Sequence, residues 1–209
     1  MIVHNGNIVV NNGRWINPPV DPYNPLNLPP NTVRVRTNDG NVPEKTTYGA
    51  EYGAYTSYET ATLVPGTTDV YDVYKSGTDF TELLYVSTNV IEVLGANTSN
   101  VTNMNAMFTG CNSLTSVPLF DTSKVTYMRY MFQNCTSLTS IPLFDTSKVT
   151  DMTWMFYQCW KVQSGALALY QQASTQTNPP YNHNRTFYQC GRDTETGVAE
   201  LAQIPSNWK

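Results

Sequence analysis

Charge is scarce in this chain. Only 13% of its 209 residues are Asp, Glu, Lys or Arg, and the net charge is −4. A nucleic-acid partner asks for a basic face, and an anionic membrane surface asks for clustered cations. Neither is available. No apolar run approaches the roughly 20 residues that span a bilayer, so membrane insertion is not expected. Histidine occurs only at His4 and His183, and the four cysteines form no Cys-x-x-Cys, so no metal site is expected. There is no glycine-rich phosphate loop, and no serine or cysteine stands in a recognisable motif with a histidine. No cofactor is implied. The opening residues, Met1-Ile2-Val3-His4-Asn5-Gly6, have no basic stretch and no apolar stretch after it. The expectation is therefore a protein that stays inside the cell or leaves it by another route, such as lysis by a virus.

What the chain has instead is Asn, Thr, Ser and Tyr, and a sentence said three times. Asn97-Thr98-Ser99-Asn100-Val101-Thr102 returns 24 residues later as Asp121-Thr122-Ser123-Lys124-Val125-Thr126, and after 24 more as Asp145-Thr146-Ser147-Lys148-Val149-Thr150. Each copy continues Met-x-x-Met-Phe-x-x-Cys, at Met104/Met107/Phe108/Cys111, Met128/Met131/Phe132/Cys135 and Met152/Met155/Phe156/Cys159. A fixed period in this range with leucine and cysteine landmarks predicts a leucine-rich-repeat solenoid. The spacing i, i+3, i+4, i+7 predicts one apolar stripe on a short helix. Thr102, Thr126 and Thr150 sit where an N-cap belongs. The apolar runs Leu114 to Phe120 and Leu138 to Phe144 predict a brief strand, shortened by Pro118 and Pro142. The expected fold class is thus an α/β repeat with strand–turn–short helix coils, whose apolar sides are buried only by stacking. A fainter first coil is read at Val73 to Ala96. A last one is read from the echo of Phe156-Tyr157-Gln158-Cys159 in Phe187-Tyr188-Gln189-Cys190. Three of the cysteines fill one repeat position and Cys190 falls in its echo, which favours buried, reduced thiols over disulfides.

The rest of the chain divides by composition. Residues 1–17 read as a hairpin or extended attachment arm bearing Ile2, Val3, Ile8, Val9, Val10 and Trp15, with Asn5-Gly6-Asn7 as its turn. Residues 18–31 are a proline-rich, semi-rigid spacer. Residues 32–72 read as a β cap over the open end of the first coil. The solenoid itself is assigned to 73–209, with an inserted helix at 164–176.

The motif Met-Phe-x-x-Cys-x-Ser-Leu-Thr-Ser-(Val/Ile)-Pro-Leu-Phe-Asp-Thr-Ser-Lys-Val-Thr-x-Met resembles the BspA-like leucine-rich repeat, also known from mycoplasma-type surface lipoproteins. The resemblance is specific over 97–164, fainter over 73–96 and 185–208, and absent from 1–31. It implies a solenoid and a binding role rather than catalysis. Members are mostly bacterial surface proteins implicated in adhesion, and similar repeats occur in gut bacteriophages and prophages. The chain departs from the lipoprotein members in having no signal peptide, no lipobox cysteine and few repeats. Those departures favour a virion-borne fibre-like or decoration protein, held to a capsid or tail protein by its arm. A bacterial surface or secreted adhesin is the alternative, and a glycan-processing enzyme a remote one.

Comparing the copies locates the candidate site. Positions that recur identically serve packing or turns. Positions that vary are free of that duty: Asn103/Tyr127/Asp151, Asn105/Arg129/Thr153, Ala106/Tyr130/Trp154, Thr109/Gln133/Tyr157 and Asn112/Thr136/Trp160. Tyr, Trp, Arg and Asn are the residues of adaptable binding surfaces. Tyr127, Arg129, Tyr130, Trp154, Tyr157 and Trp160 are therefore the predicted surface patch, for a host surface protein or a glycan. Equally, some of these aromatics would pack against the inserted helix or the caps, Trp160 above all. Asp121 and Asp145 invite an acid–base reading, but Asn97 fills the same position, so a turn-former is what the position demands. Trimers are common among phage appendages, although no heptad stalk here demands one.

Overall fold

The computed structural model describes residues 23–44 and 58–209, together with the backbone of three short strands nearer the start. These strands, β1 (Ile2–His4), β2 (Asn7–Asn11) and β3 (Arg14–Trp15), form an antiparallel sheet in the order β1-β2-β3, with Val3 opposite Ile8. The arm side chains Ile2, Val3, Ile8, Val9, Val10 and Trp15, the spacer residues 18–22, and Tyr48, Tyr52 and Tyr55 lie outside the described residues.

A second sheet is built from β4 (Thr32–Thr37), β5 (Thr60–Leu63), β6 (Val70–Tyr74) and β7 (Val90–Asn97), antiparallel in the order β5-β6-β4-β7. The alternation Val33, Arg34, Val35, Arg36 explains the central strand β4. Its valines are fully buried. Its arginines lie opposite acids on both neighbours: Arg34 makes two bonds of 2.7 and 2.8 Å to Asp72 on β6, and Arg36 one of 2.9 Å to Glu92 on β7. Such cross-strand pairs fix the register, each contributing roughly 0.2–1 kcal/mol. The outer edge of β7 is covered rather than left open, since Val93 N–H donates to Ser116 and Thr115 N–H to Ile91.

Beyond β7 the expected fold class is overturned. No strand and no helix occurs between Asn97 and Ala166. Among the described residues the regular elements are the antiparallel sheets and two helices, α1 (Ala166–Thr175) and α2 (Glu195–Ala202), closed by a 3-10 turn at Ser206–Trp208. This is not a leucine-rich-repeat solenoid of strands and short helices. The backbone dihedrals give the reason. Ala106 and Gly110 both have positive φ (53° and 73°), as do Tyr130 and Asn134 (58° and 60°) and Trp154 and Gln158 (60° and 61°). A left-handed residue cannot continue a right-handed helix, and two of them four residues apart leave only linked turns. Nor are the threonines N-caps. The hydroxyls of Thr126 and Thr150 each donate, at 3.1 Å, to the carbonyl of the threonine 24 residues before, and that of Thr102 to Thr78.

The hydrogen bonds of this region run mostly between segments. Single parallel bridges join Asp79 to Asn103, Asn103 to Tyr127 and Tyr127 to Asp151. Met104, Ala106 and Phe108 donate N–H groups to Tyr127, Arg129 and Met131, and Met128, Tyr130 and Phe132 to Asp151, Thr153 and Met155. Asp121 and Asp145 accept from the amides of Ser123 and Ser147, a local turn that the asparagine at 97 also makes.

Burial follows the same spacing. Met104, Met128 and Met152 are fully buried, as are Met107, Met131 and Met155. Phe108, Phe132, Phe156 and Phe187 stack nearly parallel, with centroids 5.3, 5.3 and 5.8 Å apart. All four cysteines are free and buried, and Cys111, Cys135 and Cys159 donate S–H to the carbonyls of Leu84, Phe108 and Phe132. Burial pushes the Cys111 thiol up to about 12 and the other three upward as well.

Helix α1 closes the apolar interior with Ala166, Leu169 and Ala173. Its first free N–H groups, at Gly165 and Leu167, are taken by the Glu200 carboxylate of α2. The close approach on which α2 depends is between Gly191 and Gly197, where a side-chain carbon would meet backbone at 2.7 Å or less.

Candidate functional site

The positive-φ residues that prevent helices also set the surface. The first of each pair falls at Glu82, Ala106, Tyr130, Trp154 and Arg185 (φ 53–60°). The first four use their backbone N–H to bond the following segment, at Asn105, Arg129, Thr153 and Asn184. Three residues on from each lies a second file: Tyr85, Thr109, Gln133, Tyr157 and Tyr188.

Four aromatics from these files touch in sequence. Tyr130 meets Trp154 edge-to-face at 5.7 Å. Trp154 stacks on Tyr157 at 4.7 Å, and Tyr157 on Tyr188 at 5.0 Å, both within 14° of parallel. Two guanidiniums flank the row. Arg129 lies 5.1 Å from the Tyr130 ring centre and donates to its hydroxyl. Arg185 lies 5.8 Å from Trp154 and 5.5 Å from Tyr188. Cation–π contacts of this kind, at roughly 0.5–1 kcal/mol each near a surface, help to hold the rings in place. Arg129 is also held by Asp151 at 3.5 Å, a carboxylate that is 10% exposed.

Of the six residues predicted for the patch, Arg129, Tyr130, Trp154 and Tyr157 come together. Tyr127 is 47% exposed and makes no ring contact with the row among the described residues. Trp160 is engaged elsewhere. Arg192 lies 4.3 Å over its ring, Asp193 N–H bonds its carbonyl, and its indole nitrogen is buried without a partner. Arg185 and Tyr188 were missed. Their signal was present, because aligning Phe187-Tyr188-Gln189-Cys190 with Phe156-Tyr157-Gln158-Cys159 puts Tyr188 at the Tyr157 position and Arg185 at the Trp154 position. The longer step of 31 residues between these copies hid it.

Where Ala106 stands in the first file, the surface dips. The recess has a volume of 230 Å³ and is lined by Glu82, Tyr85, Ala106, Thr109, Tyr130 and Gln133. Partial burial raises the Glu82 carboxyl above its ordinary value, while Lys75 pulls it down. Among the described residues no group of three or more His, Cys, Asp or Glu side chains is placed to hold a metal ion, and no helix is long and apolar enough to cross a membrane.

These features define a class: a scaffold of hydrogen-bonded turns with a dry interior of Met, Phe and Cys, presenting an aromatic and cationic row on its surface. The chain belongs to the family described as Mycoplasma protein of unknown function, DUF285, whose model matches residues 69–191. The match covers β6, β7, the turn segments and α1, and so bears out the mycoplasma-type resemblance at the level of the family. No curated protein matches the chain, and no solved structure does.

Proposed function

We propose that the chain is a non-enzymatic recognition protein displayed on a surface, either that of a bacteriophage virion or that of a bacterial cell. In this reading its N-terminal segment attaches to a capsid, tail or envelope component, and the row Tyr130, Trp154, Tyr157, Tyr188 binds a host-surface glycan or protein. The observation that carries it is the row itself, whose four rings are half-buried at the surface rather than part of the interior. Large rings occupy positions that the interior does not require, and neighbouring guanidiniums hold them in contact with one another. Pre-placed aromatics lose little rotamer freedom on binding. The virion version is favoured by the arm-and-spacer layout of residues 1–31.

Binding of the purified protein to whole bacterial and host cells tests the reading. Trp154→Ala removes the ring that touches both Tyr130 and Tyr157, and it is expected to abolish binding while leaving the melting temperature within a few degrees. Binding that survives in Trp154→Ala and in Tyr157→Ala alike would refute the assignment of the row. Presence in purified virions, or on intact producer cells, separates the two settings.

A further inference from the structure

The sheet β5-β6-β4-β7 has two edges, and they end differently. The β7 edge is bonded to the next segment, through Val93 with Ser116 and Ile91 with Thr115. The β5 edge is open. That strand pairs with β6, and among the described residues no group bonds to its outer side. The alternation of an antiparallel ladder says which groups this leaves free. Val64 N–H donates to the Val70 carbonyl at 2.8 Å, and Leu63 lies opposite Tyr71. Val64 and Val70 are therefore a hydrogen-bonded pair, with Thr62/Asp72 and Thr60/Tyr74 as the next ones. Ala61 and Leu63 then turn their N–H and C=O groups away from β6.

Open edges are ordinarily blunted by lysine, proline or a bulge. β5 carries none of these. It reads Thr-Ala-Thr-Leu, and its register with β6 runs unbroken over all 4 residues. Its side chains are unfinished in the same direction. Ala61 and Leu63 share the inner face of the sheet with Val73 and Tyr71 opposite them, which are both buried, and Ala61 packs on the core. Leu63 faces the same way but stays 43% exposed, since among the described residues no strand lies beyond β5. An apolar side chain on the core side of an open edge is what one more strand would cover.

The strand is its own complement. When β5 lies antiparallel to β5 of a second copy, about a two-fold axis through Thr62, Ala61 stands opposite the second copy's Leu63 and Leu63 opposite its Ala61. These are the residues with outward groups, so each free N–H faces a free C=O. Thr62 meets its own copy in the close, non-hydrogen-bonded pair, and threonine pairs favourably with threonine across strands. Leu63 comes to lie beside Ala61 of the second copy, on the inner face. No like charges are opposed. Glu59, the acid next to the strand, is far enough from the axis that its two copies stand roughly 20 Å apart. We propose that β5 is a self-association edge, through which two copies of the chain join their four-stranded sheets into one. A two-fold contact of this kind is closed, so it yields dimers rather than filaments. The edge is short and buries little area, so the dimer is weak. Its effect is to present two aromatic rows together, which raises the avidity of whatever they bind. The inference uses no residue of the row and stands apart from the recognition reading.

Sedimentation of the full chain from low micromolar to millimolar concentration tests this. The mass is expected to rise toward that of a dimer and no further. Leu63→Lys places a cation near its own copy across the axis, and is expected to keep the protein monomeric throughout. Its melting temperature should be retained, because the side chain it replaces is already exposed. Ala61→Pro removes an outward N–H without touching the ladder to β6 and is expected to act in the same way. Thr62→Cys gives a positive readout. It sits on the axis opposite its own copy, at a Cβ separation of about 4.5–5.5 Å, so mild oxidation is expected to yield a covalent dimer. Thr60→Cys, off the axis, is expected not to cross-link. The four native cysteines are buried, so neither reaction has a background. A monomer at every concentration, a dimer indifferent to both Leu63→Lys and Ala61→Pro, or cross-linking as fast at 60 as at 62 would overturn the proposal.

Discussion

Gly197 poses a question on which two physical arguments give opposite signs. It sits inside α2, where alanine is favoured over glycine by about 1 kcal/mol in an exposed helix interior. On propensity alone, Gly197→Ala stabilises. The packing says otherwise. A side-chain carbon at 197 would lie 2.3 Å from the Val162 carbonyl oxygen, 2.5 Å from that of Gly191 and 2.6 Å from the Gly191 Cα. Carbon contacts are comfortable near 3.5–4.0 Å, so about 1 Å of separation must be found. All three obstacles are backbone, and none can swing away as a side chain would. The helix has to lift, which strains the Thr194 cap: its hydroxyl accepts from Gly197 N–H at 3.0 Å and donates to the Val162 carbonyl at 2.8 Å. Overpacking typically costs about 1–3 kcal/mol, and occasionally more. Losing one capping bond adds about 1 kcal/mol. The net is roughly 1–3 kcal/mol of destabilisation after the propensity gain. For a chain of this size each kcal/mol moves the melting temperature by about 2–4 °C, so a fall of roughly 2–12 °C is expected by calorimetry. Because Gly191 is part of the same contact, Gly191→Ala combined with Gly197→Ala should cost less than the two separate losses added together. An alanine variant as stable as the parent, or more stable, would refute the claim that close backbone approach, rather than helix propensity, governs this helix.

The buried thiols make stability depend on alkaline pH. Their folded values lie above the ordinary cysteine value, with Cys111 near 12, so their contribution is complete below about pH 9 and declines as pH rises from there toward 12. While the unfolded thiols ionise, each takes away about 1.4 kcal/mol per pH unit. Urea midpoints measured from pH 8 to 11 should fall, and Cys135→Ala should flatten the slope by about one quarter. The same burial predicts that a thiol reagent labels none of the four cysteines in the folded protein at pH 8 and all four in guanidinium; rapid labelling without denaturant would contradict it. Thr122→Val removes a fully buried donor to the Asp145 carbonyl, a bond of 2.9 Å, and should cost about 1–2 kcal/mol in urea unfolding. A neutral result would mean that the hydroxyl ties between segments are not structural.

The interior was legible in the sequence, and the backbone was not. Met, Phe and Cys recur because a buried position next to its own equivalents admits few side chains, so repetition of composition reports packing directly. The step from packing to helix failed because i, i+3, i+4, i+7 spacing does not specify a helix. A chain of turns with left-handed residues at 106 and 110 buries Met104, Met107, Phe108 and Cys111 on one side just as well. The warning lay in the second left-handed position, where glycine stands at 110 and asparagine at 134. Both tolerate positive φ. The threonines misled for a related reason, since an N-cap and a hydrogen bond to a carbonyl 24 residues away leave the same mark on the sequence. At the surface, Trp160 shared the variability of the other patch residues but not their surroundings. Its place beside the inserted helix already set it apart in the sequence, and its contacts with Arg192 and Asp193 take it out of the row.

The position of the aromatic row follows from the same backbone. At a left-handed residue the main-chain N–H is still spent on the neighbouring segment, as at Ala106, Tyr130 and Trp154. The side chain, however, is turned away from the file of methionines and phenylalanines beneath it. Scaffold and surface are thus carried by different atoms of one residue. The cost is a conformation about 1 kcal/mol or more less favourable for each non-glycine residue, and it recurs at every segment. Strain at one position would be an accident of packing. Strain repeated at Glu82, Ala106, Tyr130, Trp154 and Arg185, with side chains as unlike as alanine and tryptophan, shows that the interior and the hydrogen bonds between segments impose the conformation whatever stands there. Replacing the residues of this file therefore changes the surface without changing the fold. Trp154→Ala and Ala106→Tyr should both leave the urea midpoint within about 1 kcal/mol of the parent. A loss several times larger in either would mean that the file is part of the scaffold after all.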